Sequence, residues 1–233
     1  MGKDFTASSL VFMLRTLLKQ RSKQLTMQFL NDELHRWRSE AKSEAMHFGK
    51  FTWDLLDYDG PRNYPKGKWS KGMDTGKVTK FIELLISQHD HGEHEDMLAT
   101  ILDGCQSIGV FLWVVFSSPF FLQQEEAHRA IAGGYRFLQC YSQLARMAVD
   151  SNKAPYKLKP KAHSLAHIVL EMLCQYREDP NSCVNPVAFS TFMCEDFVGN
   201  VARLSRRVSP KVQGQKVIFR YLTCLQRALS EES

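Results

Sequence analysis

The sequence predicts an all-α fold, an irregular helical bundle of seven to nine helices. Two observations predict it. Apolar residues recur at spacings of three and four along most of the chain, which is the period of helices with one buried face. No stretch shows the alternating pattern, bounded by turns, that half-buried strands require. The chain has 233 residues, of which 44% are hydrophobic and 24% charged, a composition typical of proteins with a packed core.

The clearest break in the helical pattern divides the chain. Residues 57–73 contain three glycines and two prolines, which indicates a linker or loop. We predict an N-terminal helical hairpin over residues 1–56 and the main helical domain over residues 74–233. The break also mixes cations with aromatic residues, namely Tyr58, Arg62, Tyr64, Lys66, Lys68, Trp69 and Lys71. Such residues either hold a phosphate backbone and stack bases, or they form a solvated loop whose aromatics pack onto the protein body; we favour the second.

Two helices account for the predicted hairpin. The first has one apolar face, formed by Leu10, Met13, Leu14, Leu17 and Leu18. Its predicted N-cap is Ser8 or Ser9. The second helix repeats apolar residues at the same spacing, at Met27, Leu30, Leu34, Trp37 and Ala41. These stripes are too short to favour a coiled-coil dimer over an intramolecular core.

A third helix carries Val78, Phe81, Ile82, Leu85 and Ile86 on one face. It ends at residues 89–96, where three histidines stand among acidic residues. We interpret this segment as an exposed turn that leads into the next helix, because acidic residues are favoured at a helix N-terminus. The alternative is a metal site built from the histidines and carboxylates.

The next helix continues into an apolar run, residues 108–122. That run is about fifteen residues long, shorter than the ~20 residues of a membrane-spanning helix, so no membrane span is predicted. Pro119 suits the first turn of a further helix, with Ser118 as its cap. That helix is expected to reach Val149, and Gly133-Gly134 near its middle indicates a kink or a close helix crossing.

The cysteines indicate where the protein is located in the cell, and the distribution of charge indicates what kind of partner it has. None of the six cysteines belongs to a C-x-x-C pair, and the first residues do not resemble a signal peptide. We therefore expect reduced thiols in an intracellular protein, nuclear or cytoplasmic. Residues 81–128 contain eight acidic residues and no Lys or Arg, whereas residues 201–233 contain seven basic and two acidic residues. Charge asymmetry of this kind bears on association with partners rather than on fold.

A helix is predicted over residues 160–176. His163 and His167 have the spacing of the two ligands in H-E-x-x-H, but Ser164 stands where the catalytic Glu would be, so the metalloprotease interpretation fails. No catalytic residue, metal or cofactor is predicted. In the helix that follows, Glu195 lies on a face of small residues, where a buried carboxylate must be paired. We expect a structural polar pair between Glu195 and His163 or His167, or otherwise between Glu195 and an arginine.

Two linked motifs stand in this part of the chain. They are Lys159-Pro160-Lys161-x-His163-x-x-x-His167 and, after a short loop, Ser190-Thr191-Phe192-Met193-Cys194-Glu195. Together with the basic residues that follow, they resemble a helical segment of transposon-derived open reading frames, including CACTA-like transposases and related proteins of protists and animals. The resemblance covers roughly the last third of the chain, and Asn185-Pro186 replaces the Gly-Pro usual before the second helix.

The resemblance implies descent from a mobile element and a DNA-associated accessory region. It does not imply a nuclease, because a transposase nuclease needs carboxylates on the strands of an RNase H-like sheet and no such strands are predicted. The basic residues near the end of the chain are the predicted nucleic-acid contacts: Arg203, Arg206, Arg207, Lys211, Lys216 and Arg220.

The sequence therefore predicts a non-catalytic helical module with weak nucleic-acid association of low specificity. The alternative is a helical protein-interaction or scaffold domain without a nucleic-acid role, for which a protein partner or a homodimer is expected. The two interpretations differ in whether the basic side chains form one surface or pair with acidic residues of the segment 83–126.

Overall fold

The structure is a computed structural model. It describes residues 2–41, 46–60, 63–70, 73–89, 92–150, 156–157 and 160–189, with positions 216, 218, 219, 222, 223 and 226. The helices are α1 (Gly2–Arg15), α2 (Lys23–Glu40), α3 (Met73–Gln88), α4 (Glu95–Ser117), α5 (Gln124–Asp150) and α6 (Pro160–Glu178). Short 3-10 turns occur at Gly92–His94 and Pro186–Phe189.

The predicted all-α class is confirmed for the described part of the chain, which contains no strand and only one isolated antiparallel bridge, between Phe121 and Val184. Its six α-helices are slightly fewer than the predicted seven to nine. Chain contacts divide the protein into two compact units, residues 1–186 and 187–233. The predicted linker, residues 57–73, therefore lies within the first unit.

Two glycines lie where α5 crosses its neighbours. A Cβ atom built on Gly133 would lie 2.8 Å from the backbone oxygen of Ser107 in α4. A Cβ atom built on Gly134 would lie 2.5 Å from Cγ2 of Val169 in α6 and 3.1 Å from the ring of Phe111. The Gly133-Gly134 pair thus marks the close helix crossing that the sequence left as one of two alternatives. Only the absence of side chains allows α4 and α6 to approach α5 this closely.

Helix α1 lies in the aromatic core of the first unit. The fully buried Phe5 ring has its centroid 5.0 Å from that of Phe137, 5.7 Å from that of Tyr141 and 6.2 Å from that of Tyr156. The Tyr156 hydroxyl hydrogen-bonds the Ser9 hydroxyl at 2.9 Å. These contacts join α1 to α5 and to the segment before α6, so α1 is an internal helix of the unit.

The predicted N-cap of α1 is wrong. The helix begins at Gly2, and Ser8 and Ser9 are both buried in its interior. The Ser9 hydroxyl donates to the carbonyl oxygen of Phe5, four residues earlier, at 2.9 Å. A serine that satisfies its hydroxyl in this way is compatible with a helix interior, which is why its presence did not mark the helix start.

Helix α4 is the most apolar of the described helices. Among them it alone is long and apolar enough to cross a membrane by length and composition, and about half of this apolar stretch is buried inside the fold. Its buried residues include Ile101, Cys105, Ile108 and Phe111. A long apolar helix is expected at this place, because α4 packs against both α3 and α5.

The predicted start of α5 at Pro119 is also wrong, since the helix begins at Gln124. The Glu126 carboxylate accepts a hydrogen bond from the Gln123 backbone N–H at 2.9 Å, as the residue at helix position N3 does in a capping box. The same carboxylate accepts the Ser118 hydroxyl at 2.8 Å. Ser118 is the C-cap of α4, so it ends one helix instead of beginning the next.

Asn185 holds the connection between α4 and α5. Its fully buried side-chain Nδ2 lies 3.0 to 3.1 Å from the carbonyl oxygens of Val115, Ser118 and Pro119. Its backbone N–H donates to the carbonyl oxygen of Phe120 at 2.8 Å. One asparagine therefore supplies a donor to one carbonyl of the last turn of α4 and to two carbonyls that follow the helix.

The crossing of α4 and α5 gives a matched pair of substitutions. Gly133→Ala places a methyl group against backbone, which cannot move aside, and we expect it to lower the free energy of unfolding by about 1–3 kcal/mol. Gly109→Ala in α4 meets no atom within 4 Å and should raise it by about 0.5–1 kcal/mol through helix propensity. Urea denaturation followed by circular dichroism measures both. Equal effects of the two substitutions would contradict the close crossing.

Candidate nucleic-acid interface

The structure describes only part of the predicted site. Lys216 is helical and exposed. The remaining predicted nucleic-acid contacts and the predicted partner of the histidines lie outside the described residues; they are Arg203, Arg206, Arg207, Lys211, Arg220 and Glu195. Their roles stay predictions.

His163 and His167 lie on the exposed side of α6. Their Nε2 atoms are 2.8 Å apart and their ring planes meet at 81°. One imidazole therefore donates to the other, and each has a partner without Glu195. No group of three or more His, Cys, Asp or Glu side chains with metal-binding geometry occurs in the described residues.

The cations of segment 57–73 that the structure describes already have carboxylate partners. Lys68 Nζ lies 2.9 Å from both Asp54 and Asp57, and Lys66 Nζ lies 3.6 Å from Asp57. Hydrogen bonds to Asp54 and Asp57 raise the pKa of Lys68, and the hydrogen bond from Lys68 is the first cause that lowers the pKa of Asp57. Because these two charges are compensated locally, the described part of the loop has little free positive charge to offer to a phosphate.

The aromatic residues of the same loop pack onto the unit. Trp69 and Tyr58 are buried, and the Trp69 indole N–H donates to the Thr75 hydroxyl at 3.0 Å. Tyr64 is exposed, and the Lys157 ammonium lies 5.1 Å from its ring centroid. The described part of the loop thus has the packing of a solvated loop with inward aromatics.

Free positive charge is found instead at the turn between α1 and α2. Four exposed cations stand here, which we call the basic turn: Arg15, Lys19, Arg21 and Lys23. Within the described part of the chain, none of them lies in an ion pair. The sequence carries a signal for this feature that sequence reasoning missed, since no acidic residue occurs between Asp4 and Asp32.

The basic turn borders a cavity of about 420 Å³. Its other walls are formed by the end of α1, the first turn of α2 and the loop that follows residue 52; besides the four cations they include Leu14, Thr26, Trp53 and Tyr58. Thr26 shapes the rim, because its hydroxyl accepts the Gln20 backbone N–H at 3.0 Å and donates to the Ser22 carbonyl oxygen at 2.9 Å. The result is a concave site with apolar walls and a cationic edge. Ligand sites in proteins commonly have this form and a volume of about 300–1,000 Å³.

One wall residue has an unsatisfied polar group. Trp53 Nε1 is buried without a hydrogen-bond partner, the only side-chain nitrogen or oxygen in this condition among the described residues. A buried donor without an acceptor costs about 1–3 kcal/mol, so folded proteins usually avoid it.

The buried thiols are not poised for nucleophilic chemistry. Burial raises the pKa of Cys105 and Cys183, and it raises the pKa of Cys140 to about 11. A thiol reacts as its thiolate, so a raised pKa makes these three groups inert at neutral pH.

A second surface feature is apolar. Four aromatic side chains at the end of α4 and just beyond it are more than half exposed, and we call them the aromatic surface: Trp113, Phe116, Phe120 and Phe121. The Phe120 and Phe121 ring centroids lie 4.8 Å apart, and the Arg129 guanidinium lies 5.1 Å from the Trp113 ring centroid. Exposed aromatic groups of this kind are typical of contact surfaces.

Comparison with known proteins gives no relative. No protein-family model, curated protein or solved structure matches this chain. The assignment of function therefore depends on the chemistry of the residues described above.

Two tryptophans, one with a hydrogen-bond partner and one without, allow the unsatisfied indole to be tested. Trp69→Phe removes a donor that has a partner, whereas Trp53→Phe removes a donor that has none. We expect the free energy of unfolding to fall by about 1–2 kcal/mol more for Trp69→Phe. Thr75→Val is the control, since it removes the acceptor of Trp69 without removing an aromatic ring, and it should also be destabilising. If Trp53→Phe proves the more costly change in thermal denaturation, the Trp53 indole has a partner in solution.

Proposed function

We propose that this chain is a non-catalytic helical module that associates weakly with nucleic acid through phosphate contacts. The observation that carries the proposal is the basic turn, whose four cations are exposed and stand outside every ion pair of the described residues. Cations of this kind can neutralise phosphates, and the release of condensed counterions then drives binding. DNA and RNA both present such a phosphate array.

The distribution of charge supports this choice. The described cations of the loop, Lys66 and Lys68, form ion pairs with Asp54 and Asp57. Their positive charge is therefore less available to a partner. The C-terminal part of the sequence adds a second set of cations, seven in residues 201–233 against two acidic residues. On this ground we include a further set of proposed phosphate contacts: Arg203, Arg206, Arg207, Lys211, Lys216 and Arg220.

The chemistry of the basic turn favours weak binding of low specificity. Flexible lysine and arginine side chains on a turn reach phosphate oxygens, and phosphate contacts position a protein without reading the sequence of bases. The resemblance of the Lys159–His167 and Ser190–Glu195 motifs to transposon-derived reading frames supports a mobile-element origin and DNA as the nucleic acid. In a cell, nuclear or cytoplasmic location would bring the module to such a partner.

The basic turn makes a direct test possible. Replacing Arg15, Lys19, Arg21 and Lys23 with Gln removes four charges from exposed positions. Fluorescence anisotropy of a labelled duplex at several salt concentrations should show a weak affinity, with Kd of about 10⁻⁴–10⁻⁶ M near physiological salt. In the variant, affinity should fall and the slope of log K against log salt should become shallower by about 0.9 for each phosphate that the variant no longer neutralises.

Two further variants complete the test. Lys66→Gln with Lys68→Gln removes cations that already have partners, and it should leave binding nearly unchanged. Charge reversal at Arg206, Arg207 and Lys211 should weaken binding as the basic-turn variant does. Absence of binding at low salt, or binding that none of these changes weakens, would reject the proposal.

The alternative function is that of a helical protein-interaction or scaffold domain without a nucleic-acid role. The aromatic surface favours it, because large exposed aromatic residues contribute strongly to protein–protein interfaces. A second copy of this chain is the simplest occupant of such a surface, since aromatic rings on both copies can bury one another.

Sedimentation measurements separate this alternative from the first. If the aromatic surface joins two copies, the sedimentation coefficient rises with protein concentration, and Phe116→Ser with Phe120→Ser abolishes the rise. Trp113 remains in that variant, so its contact with Arg129 is kept. A concentration-independent monomer would remove the homodimer from consideration.

A further inference from the structure

The shape of the cavity beside the basic turn limits what it can hold. A volume of about 420 Å³ accommodates a small molecule or one nucleotide. A nucleic-acid duplex, whose width is set by paired bases, can only lie across the rim. Binding to a duplex backbone would use the cations of the rim. It would not use the recess beneath them.

We propose that this cavity binds a single phosphorylated nucleotide unit, either a free nucleotide or the 5′-phosphorylated end of a single strand. This inference rests on the proposed function, in which the basic turn binds phosphate. It goes further by naming the ligand that occupies the cavity. Both sources present the same chemistry, a multiply charged phosphate joined to an aromatic base.

The phosphate is placed by charge. Arg15, Lys19, Arg21 and Lys23 all line the cavity, and the first turn of α2 contains no acidic residue. The positive end of the 18-residue helix α2 is thus not compensated there. Guanidinium and ammonium groups together suit a terminal phosphate, which carries more charge than a phosphodiester and accepts more hydrogen bonds.

The nearby carboxylates do not cancel this charge. Asp54 and Asp57, which neighbour the wall residues, are paired with Lys68 and, for Asp57, also with Lys66. Asp59 accepts a hydrogen bond from the neutral side-chain amide of Asn63 at 3.2 Å, so it keeps its negative charge. The four cations of the basic turn outnumber this one carboxylate, so a ligand in the cavity meets a net positive charge.

The base is placed by the opposite wall. The Trp53 and Tyr58 rings lie against each other, with centroids 5.9 Å apart, and both residues line the cavity with Leu14. Stacking on aromatic side chains holds bases without regard to sequence.

Calorimetric titration tests the proposal with defined probes: ADP, pyrophosphate, adenosine, and short single strands with a 5′-phosphate or a 5′-hydroxyl. ADP should bind with a Kd below about 1 mM, and about tenfold more tightly than either adenosine or pyrophosphate, because only ADP engages both walls. A preference of about tenfold for the 5′-phosphorylated strand over the 5′-hydroxyl strand assigns the strand end as a source. Binding of ADP without that preference assigns the free nucleotide.

The variants at the basic turn use exposed positions, so they should fold. Arg21→Gln with Lys23→Gln should weaken ADP binding at least about tenfold. Lys80→Gln, an exposed change on α3, should leave it unchanged. Trp53→Leu removes one aromatic ring from the wall and should bring the affinity for ADP close to that for pyrophosphate. Circular dichroism confirms that each variant is folded.

The outcomes separate this inference from the proposed function. No binding of ADP or of the phosphorylated strand at about 1 mM rejects the inference, even if duplex DNA still binds through the basic turn. ADP binding that Arg21→Gln with Lys23→Gln leaves unchanged also rejects it, because the ligand then lies elsewhere. If ADP binds in the cavity and duplex DNA does not bind, the proposed function fails and the nucleotide site stands.

Discussion

The close approach of α4, α5 and α6 at Gly133-Gly134 is the constraint on which the rest of the first unit depends. Because α5 has no side chains there, α4 reaches it with its backbone and α6 reaches it with Val169. Helix α3 packs against α4, and α1 packs against α3 in turn. Protein interiors are packed to near-crystalline density, so a wider crossing at one point would displace every helix that packs around it.

Much of the helical content follows from local sequence, and the errors have a common cause. The period of apolar residues predicts α3 and α4, and Pro160 marks the first residue of α6. Two predicted helix starts are wrong. In both cases a polar group near the predicted start has a hydrogen-bond partner that is far away in the sequence. Ser9 bonds within its own helix and to Tyr156, 147 residues away. The segment before α5 is fixed by Asn185, more than 60 residues later.

The candidate site was only partly accessible to sequence reasoning for the same reason. The cations of segment 57–73 attract attention because they stand among aromatic residues, yet tertiary contacts bring Asp54 and Asp57 against them. The basic turn has a simple sequence signal, an interval without acidic residues from position 5 to 31. Its cavity has none, because the walls come from segments that are distant in sequence and meet only in the folded chain.

The position of α1 in the aromatic core has a consequence for synthesis of the protein. Helix α1 leaves the ribosome before its partners Phe137, Tyr141 and Tyr156, which follow only after more than a hundred residues. The 147 residues between Ser9 and Tyr156 take roughly 7–30 s to translate at about 5–20 residues per second. Throughout that interval the side of α1 that packs on these three rings has no permanent cover, so the nascent chain presents a chaperone with a binding segment before the first unit can close.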